Sequence, residues 1–199
     1  SNVLVDRWGR VKLLDFGIAK LKKNSIETTD NKEGHLTALF GQALTLNYAS
    51  PEQVAGGPID ERTDVYSAGV LLFELLAGQR PYTLRHRTRS ALEEAILEQA
   101  LKPPSERVVP VWAQRLGLRD HQLAKQLRGA LDAIVLKALQ PDPTKRYTSA
   151  NAFAADLRQW LAGQALPLHD GAPSSKSARK LTPWETPSQS AIPIFKRLI

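Results

Sequence analysis

Between Thr63 and Gly78 the chain leaves almost no polar face. Val65, Tyr66, Ala68, Val70, Leu71, Leu72, Phe73, Leu75 and Leu76 spread round nearly every side of a helix. A helix apolar almost all round is a buried helix, so other elements must cover it. Gly78 supplies a stop, and Pro81 enforces the break. Downstream segments have the spacing to provide that cover. Ser90 to Leu101 reads as a shorter amphipathic helix ended by Pro103-Pro104, and 113–127 as a weaker, polar one. Leu131, Ile134, Val135, Ala138 and Leu139 fall on one helical face, with Pro141 and Pro143 beyond. Ala150, Phe153, Ala154, Leu157, Trp160 and Leu161 repeat the pattern, with Thr148 or Ser149 as cap and Gly163 as stop. The expected class is therefore mainly α.

The N-terminal end differs. Val3-Leu4-Val5 and Val11 to Leu14 are short runs rich in branched residues, joined by Asp6-Arg7-Trp8-Gly9-Arg10. A hairpin centred on that turn sets Val3 opposite Leu14, Val5 opposite Lys12 and Asn2 opposite Asp15. An amide oxygen and a carboxylate side by side are hard ligands. Mg²⁺ takes few such protein ligands and completes its shell with water and substrate phosphates. The pair is thus a candidate metal site serving a nucleotide triphosphate. Residues 20–47 are polar without a period, and a loop this long in a compact domain is usually functional or disordered.

Composition excludes several classes. There is no Cys, so neither a disulfide framework nor a thiolate metal site is available. No apolar run approaches the ~20 residues of a membrane helix. The net charge is +7, and residues 164–199 supply +3 of it, five basic residues against two acidic ones. No basic helix interleaved with aromatics accompanies this charge, so nucleic acid is not an expected partner. Pro173, Pro183, Pro187 and Pro193 make residues 164–199 a Pro/Ser/Lys-rich linker or tail. Met is absent and a strand begins at Val3, so Ser1 is not expected to be the true start.

The motifs Asn2-Val3-Leu4-Val5 and Val11-Lys12-Leu13-Leu14-Asp15-Phe16-Gly17 resemble the strand pair after the catalytic loop of bacterial eukaryotic-like serine/threonine protein kinases. Tyr48-Ala49-Ser50-Pro51-Glu52 resembles the family's A-P-E, with Ser50 for Ala. Asp64-Val65-Tyr66-Ser67-Ala68-Gly69 resembles D-x-x-S-x-G, and Pro143-Thr144-Lys145-Arg146-Tyr147 resembles P-x-x-R-[YF]. Four ordered motifs cover residues 1–163, a partial kinase domain: the helical C-terminal lobe with a short β-hairpin, the N-terminal lobe being absent.

The resemblance implies roles. Asp15 and Asn2 would hold Mg²⁺ or Mn²⁺ against the phosphates of ATP. Phe16 and Gly17 complete the D-F-G, with Phe16 as the packing residue that separates active from inactive states. Glu52 and Arg146 would form a buried ion pair, and Asp64 would bond the catalytic-loop backbone. Thr45 would touch the catalytic aspartate, although Leu44 stands where the family often has Gly. Residues 18–47 would be the activation loop, with Thr37 the favoured phosphoacceptor among Ser25, Thr28, Thr29 and Thr37. The H-R-D aspartate, the family's base, would lie about 5 residues before Asn2. The parent is therefore expected to phosphorylate Ser/Thr of proteins from ATP, and this piece alone to be inactive. A pseudokinase or scaffold lobe is the alternative, and intact Asn2 and Asp15 weigh against it. The kinase domain is expected in the cytoplasm, in a parent with scope for membrane anchorage outside this chain and for kinase homodimerisation.

Overall fold

The structure is a computed structural model and describes residues 3–5, 7, 11–13, 46–84, 86, 88–98 and 100–164. Strands β1 (Val3–Val5) and β2 (Val11–Leu13) pair antiparallel. The helices follow: α1 (Pro51–Val54), α2 (Glu61–Ala77), α3 (Arg89–Glu98), α4 (Pro110–Arg115), α5 (Asp120–Leu127), α6 (Ala130–Ala138) and α7 (Ala150–Leu161). Short 3-10 turns occupy Pro104–Glu106 and Pro143–Lys145.

The apolar run becomes α2 and most of it is buried, although Leu75 is exposed and Leu71 and Leu72 are only partly covered. Val65, Val70, Phe73, Leu76 and Ala77 are wholly inaccessible to solvent. Asp60 caps the first turn by accepting the Arg62 N–H at 2.8 Å. Helices α6 and α7 and the Pro104–Glu106 turn pack on α2. Leu131, Ile134, Val135, Phe153 and Trp160, all on the faces expected to be apolar, join its core. Gly69 makes the approach of α6 close. A Cβ there would lie 2.9 Å from the Ala138 Cβ, tighter than side chains tolerate. One buried polar tie fixes the Pro104–Glu106 turn to α6. Ser105 donates its N–H (3.0 Å) and hydroxyl (2.6 Å) to the buried Asp132 carboxylate. Burial pushes that carboxyl above its usual range, against the pull of Ser105.

Gly78 ends α2 in the left-handed region at φ 78°. Trp112 lies directly against it: a Cβ at position 78 would meet the Trp112 Cβ at 2.4 Å and Cγ at 2.5 Å. The indole cannot step aside freely, because its Nε1–H donates to the Leu75 carbonyl at 2.9 Å. Gly78→Ala therefore combines left-handed strain with overpacking, and an expected loss of about 2–3 kcal/mol follows. Urea denaturation measures it, and a loss under about 0.5 kcal/mol would contradict the packing described.

Three expectations shift. The helix expected over Ser90–Leu101 begins at Arg89 and stops at Glu98. Its start is set by Thr88, whose hydroxyl accepts the Ala91 N–H at 3.2 Å. The single helix expected over 113–127 is two, α4 and α5, broken at Gly117 with φ 73°. Pro110, favoured at a first helical position, starts the earlier one. The third shift is the hairpin register. Val3 pairs with Leu13, Leu4 with Lys12 and Val5 with Val11, one residue off the expected Val3–Leu14 and Val5–Lys12. At the last helix, Ser149 rather than Thr148 is the cap, accepting the Ala152 N–H at 3.2 Å.

Candidate functional site

The described part of the site is built on the chain just before and within α1. Ser50 and Gln53 form a capping box: Ser50 N–H donates to Gln53 Oε1 at 2.9 Å, and Gln53 N–H to Ser50 Oγ at 3.4 Å. Pro51 takes the first helical position, and Glu52 follows in the first turn. This orients Glu52 inward, where Arg146 meets it with two parallel bonds. Nη1 reaches Oε1 and Nη2 reaches Oε2, each at 2.7 Å. Arg146 spends its other donors on backbone: Nε on Gln140 O (2.7 Å), Nη1 on Arg62 O (3.1 Å) and Nη2 on Pro141 O (3.0 Å). Its guanidinium lies 4.7 Å from the Tyr66 ring centroid. Thr63 Oγ1 adds a donor to Glu52 Oε1 at 2.8 Å. Burial would raise the Glu52 carboxyl, but Arg146, a backbone N–H and Thr63 outweigh it and hold the group at about 2.

A second tie holds the residues just before α1 to α2. The Ser67 hydroxyl donates to the Tyr48 carbonyl at 2.8 Å. The Tyr48 hydroxyl donates to Glu74 Oε2 at 2.9 Å. Burial first, then the Glu74 carboxylate, raises the Tyr48 phenol above its ordinary value. Behind these ties, Tyr66 and Tyr82 share a buried hydroxyl bond of 2.7 Å. Burial pushes Tyr66 up to about 12 and Tyr82 well above its ordinary value, so both phenols stay neutral across the physiological range.

The sequence motifs thus meet where the structure describes them. Glu52 and Arg146, 94 residues apart, are in contact. Asp64 stands exposed in the first turn of α2. Asn2, Asp15, Phe16, Gly17, Thr37 and Thr45 lie outside the described residues. The observed register removes the basis for setting Asn2 directly opposite Asp15, since it displaces the expected pairing by one. In the sequence, Asn2 directly precedes β1 and Asp15 follows the end of β2 by two residues. Among the described residues, no group of three His, Cys, Asp or Glu is placed to hold a metal. What is described is therefore the frame of the site: two anchors that fix residues 47–52 on the helical core.

Residues 1–158 match the protein kinase domain family. The chain belongs to the protein kinase family. Its curated relatives include the serine/threonine-protein kinase PknB of Mycolicibacterium smegmatis, 33% identical over 165 residues, which are 83% of this chain and 22% of that protein. PknB of Mycobacterium tuberculosis is 34% identical over 157 residues, 79% of this chain and 21% of that protein. PknB of Mycobacterium leprae is 33% identical over 164 residues, 82% and 22% respectively. The chain spans about a fifth of the length of these relatives. As a kinase-family lobe, it is helical apart from the ribbon, in keeping with the fold class expected. Among the described residues, no helix is long and apolar enough to cross a membrane.

The motifs include Tyr48 and Ser67 without a role for either, and they do not reach Asn47, Glu74 or Arg80. The signal was present for two of them. Ser67 and Glu74 are the polar interruptions of the otherwise apolar α2 run, and a polar group on a buried helix requires a partner.

Proposed function

We propose that the protein carrying this chain is a serine/threonine protein kinase, moving the γ-phosphate of ATP to Ser or Thr hydroxyls of proteins. One observation carries this: residues 1–158 match the protein kinase domain family, and the sequence keeps both Asn2 and Asp15. An amide oxygen and a carboxylate are a donor set that suits Mg²⁺ or Mn²⁺. When bound, the metal neutralises charge on the β- and γ-phosphates. The chain's own part is positioning. Asn2 and Asp15 would hold the nucleotide's metal, Phe16 is the packing residue that separates active from inactive states, Gly17 completes the D-F-G, and Thr45 touches the catalytic aspartate. The Glu52–Arg146 pair supports the far end of the loop, and Asp64 supports the catalytic-loop backbone. Thr37 is the proposed regulatory phosphoacceptor.

Residues 1–199 contain no H-R-D run, the motif that carries the family's base. Transfer by residues 1–199 alone is not expected, because phosphoryl transfer depends on all these parts together. Residues 1–163 are read as the kinase part and 164–199 as a linker. The kinase part works in the cytoplasm on protein substrates, with homodimerisation as a partner mode and nucleic acid not among its ligands. A scaffold lobe is the competing reading, and the retained Asn2 and Asp15 favour the enzyme, since a scaffold has no use for two metal ligands.

The test is direct. The whole gene product containing residues 1–199 is given γ-labelled MgATP and a Ser/Thr peptide array. Label on Ser or Thr is expected. Nucleotide binding without transfer establishes the scaffold instead.

A further inference from the structure

The chain leaving α2 and the chain leaving the Pro104–Glu106 turn run side by side, tied where the Val109 N–H donates to the Ala77 carbonyl at 2.8 Å. Arg107 lies between them. Gln79 clasps it at both ends: Nε2 donates to the Arg107 carbonyl at 2.6 Å, and Oε1 accepts from Arg107 Nη2 at 3.3 Å. Thr83 Oγ1 accepts from Nη1 at 2.8 Å. Arg107 Nε is shut off from solvent and has no acceptor. Both partners of the guanidinium are neutral. Among the described residues, no carboxylate forms an ion pair with it. Residues 75–92, which supply both clamps, contain no Asp or Glu at all. Arg107 is thus a half-buried cation, fixed in orientation, whose counter-ion is missing.

We propose that Arg107, held by Gln79 and Thr83, is a binding site for a carboxylate on an acidic segment of a protein partner. A guanidinium has five N–H donors in a planar fork, and the bonds to Gln79 and Thr83 spend one from each Nη. The second hydrogen on each Nη is left for a ligand, and a carboxylate accepts such a pair with matching shape and charge. One carboxylate balances one guanidinium. A phosphate dianion calls for a second cation, and among the described residues no other Lys or Arg shares the Gln79 and Thr83 clamps. The clamps also lower the cost of binding, because the side chain is already ordered before the partner arrives. No residue of the proposed transfer chemistry takes part, so the site stands or falls apart from the kinase reading.

The experiment uses the whole gene product containing residues 1–199. Binding of a labelled hexaglutamate peptide is followed by fluorescence anisotropy at fixed ionic strength, and binding of inorganic phosphate by calorimetry. Arg107→Gln is expected to weaken hexaglutamate binding about tenfold or more, the scale of one charge-assisted bonding pair. Arg115→Gln removes the same charge from an exposed helix end and should change binding less than about twofold. Gln79→Glu gives Arg107 a carboxylate from within. It should weaken the peptide about tenfold by occupying the fork, and it should raise the urea midpoint because the cation gains its counter-ion. Gln114→Glu makes the same change at an exposed position of α4 and should do neither. Equal losses in Arg107→Gln and Arg115→Gln mean diffuse attraction and overturn the site. An unchanged midpoint in Gln79→Glu means that Arg107 lacked no counter-ion and removes the ground of the proposal. Phosphate binding that depends on Arg107, without hexaglutamate binding, overturns the carboxylate assignment.

Discussion

Replacing Arg146 with alanine is expected to remove about 3–5 kcal/mol of folding stability, the largest loss for any single side chain in this lobe. The size follows from what is left behind. Arg146 is 3% exposed, and both Glu52 oxygens and three backbone carbonyls accept from it. Alanine leaves a buried carboxylate uncompensated and the carbonyls unpaired, which costs more than the bonds were worth net. Lysine keeps the charge but cannot make the paired bonds, so Arg146→Lys falls between wild type and alanine. The double variant Glu52→Gln with Arg146→Met should be less damaging than the two single losses summed, because no charge stays buried alone. Urea midpoints at constant slope measure all of these. The same pair gives an acid dependence. Glu52 is held at about 2 in the folded chain against an ordinary 4.5, so its stabilising share is complete above pH 4.5 and is lost as the pH falls toward 2. That share is on the order of 3 kcal/mol. It disappears in Glu52→Gln, whose stability should be flatter over that acid interval. An Arg146→Ala protein within 1 kcal/mol of wild type would mean that the buried pair carries no weight.

The helical core was legible because its signals are local and redundant. The α2 run declares burial on every side, and Gly78 and Pro81 close it. The apolar faces of α6 and α7 repeat at helical spacing and end at Pro or Gly. Boundaries were less legible where a single residue decides them. Gly117 splits one expected helix into two, and Thr88 fixes the start of α3 from outside the expected range. The hairpin register differs by one from the expected one because short runs of branched residues permit two alignments. Contacts distant in sequence could not be read from spacing. The Glu52–Arg146 contact entered through resemblance, and nothing in either residue's neighbourhood names the other. The Asn47–Arg80 contact entered through neither, since an arginine after a helix and an asparagine in a loop are ordinary by themselves. Only the chain path, which brings residue 80 back beside residue 47, makes them partners.

The largest effect on activity is expected at a residue whose contribution to the core is not at issue. In the whole gene product, Asp15→Ala should lower kcat on the order of 10³-fold or more, the scale on which one charge-stabilising group acts in phosphoryl transfer. The reasoning is electrostatic. The transferred group spreads negative charge over its oxygens, and in the proposed function the Asp15 carboxylate would hold the cation that offsets it. Asp15→Asn is the sharper variant. It keeps an oxygen at the same reach and removes only the charge, so a similar loss assigns the effect to charge and not to shape. Asn2→Ala removes a neutral oxygen and should cost less than Asp15→Ala, with activity partly restored at high Mg²⁺ or Mn²⁺, because a weakened site is refilled by mass action. These changes are expected to separate two parts of the lobe by the quantity each one moves, Arg146 the urea midpoint and Asp15 the turnover. Turnover of Asp15→Ala within tenfold of wild type would show that the charge on the phosphates is met elsewhere, and the ribbon's open end would then lose its claim to be the metal site.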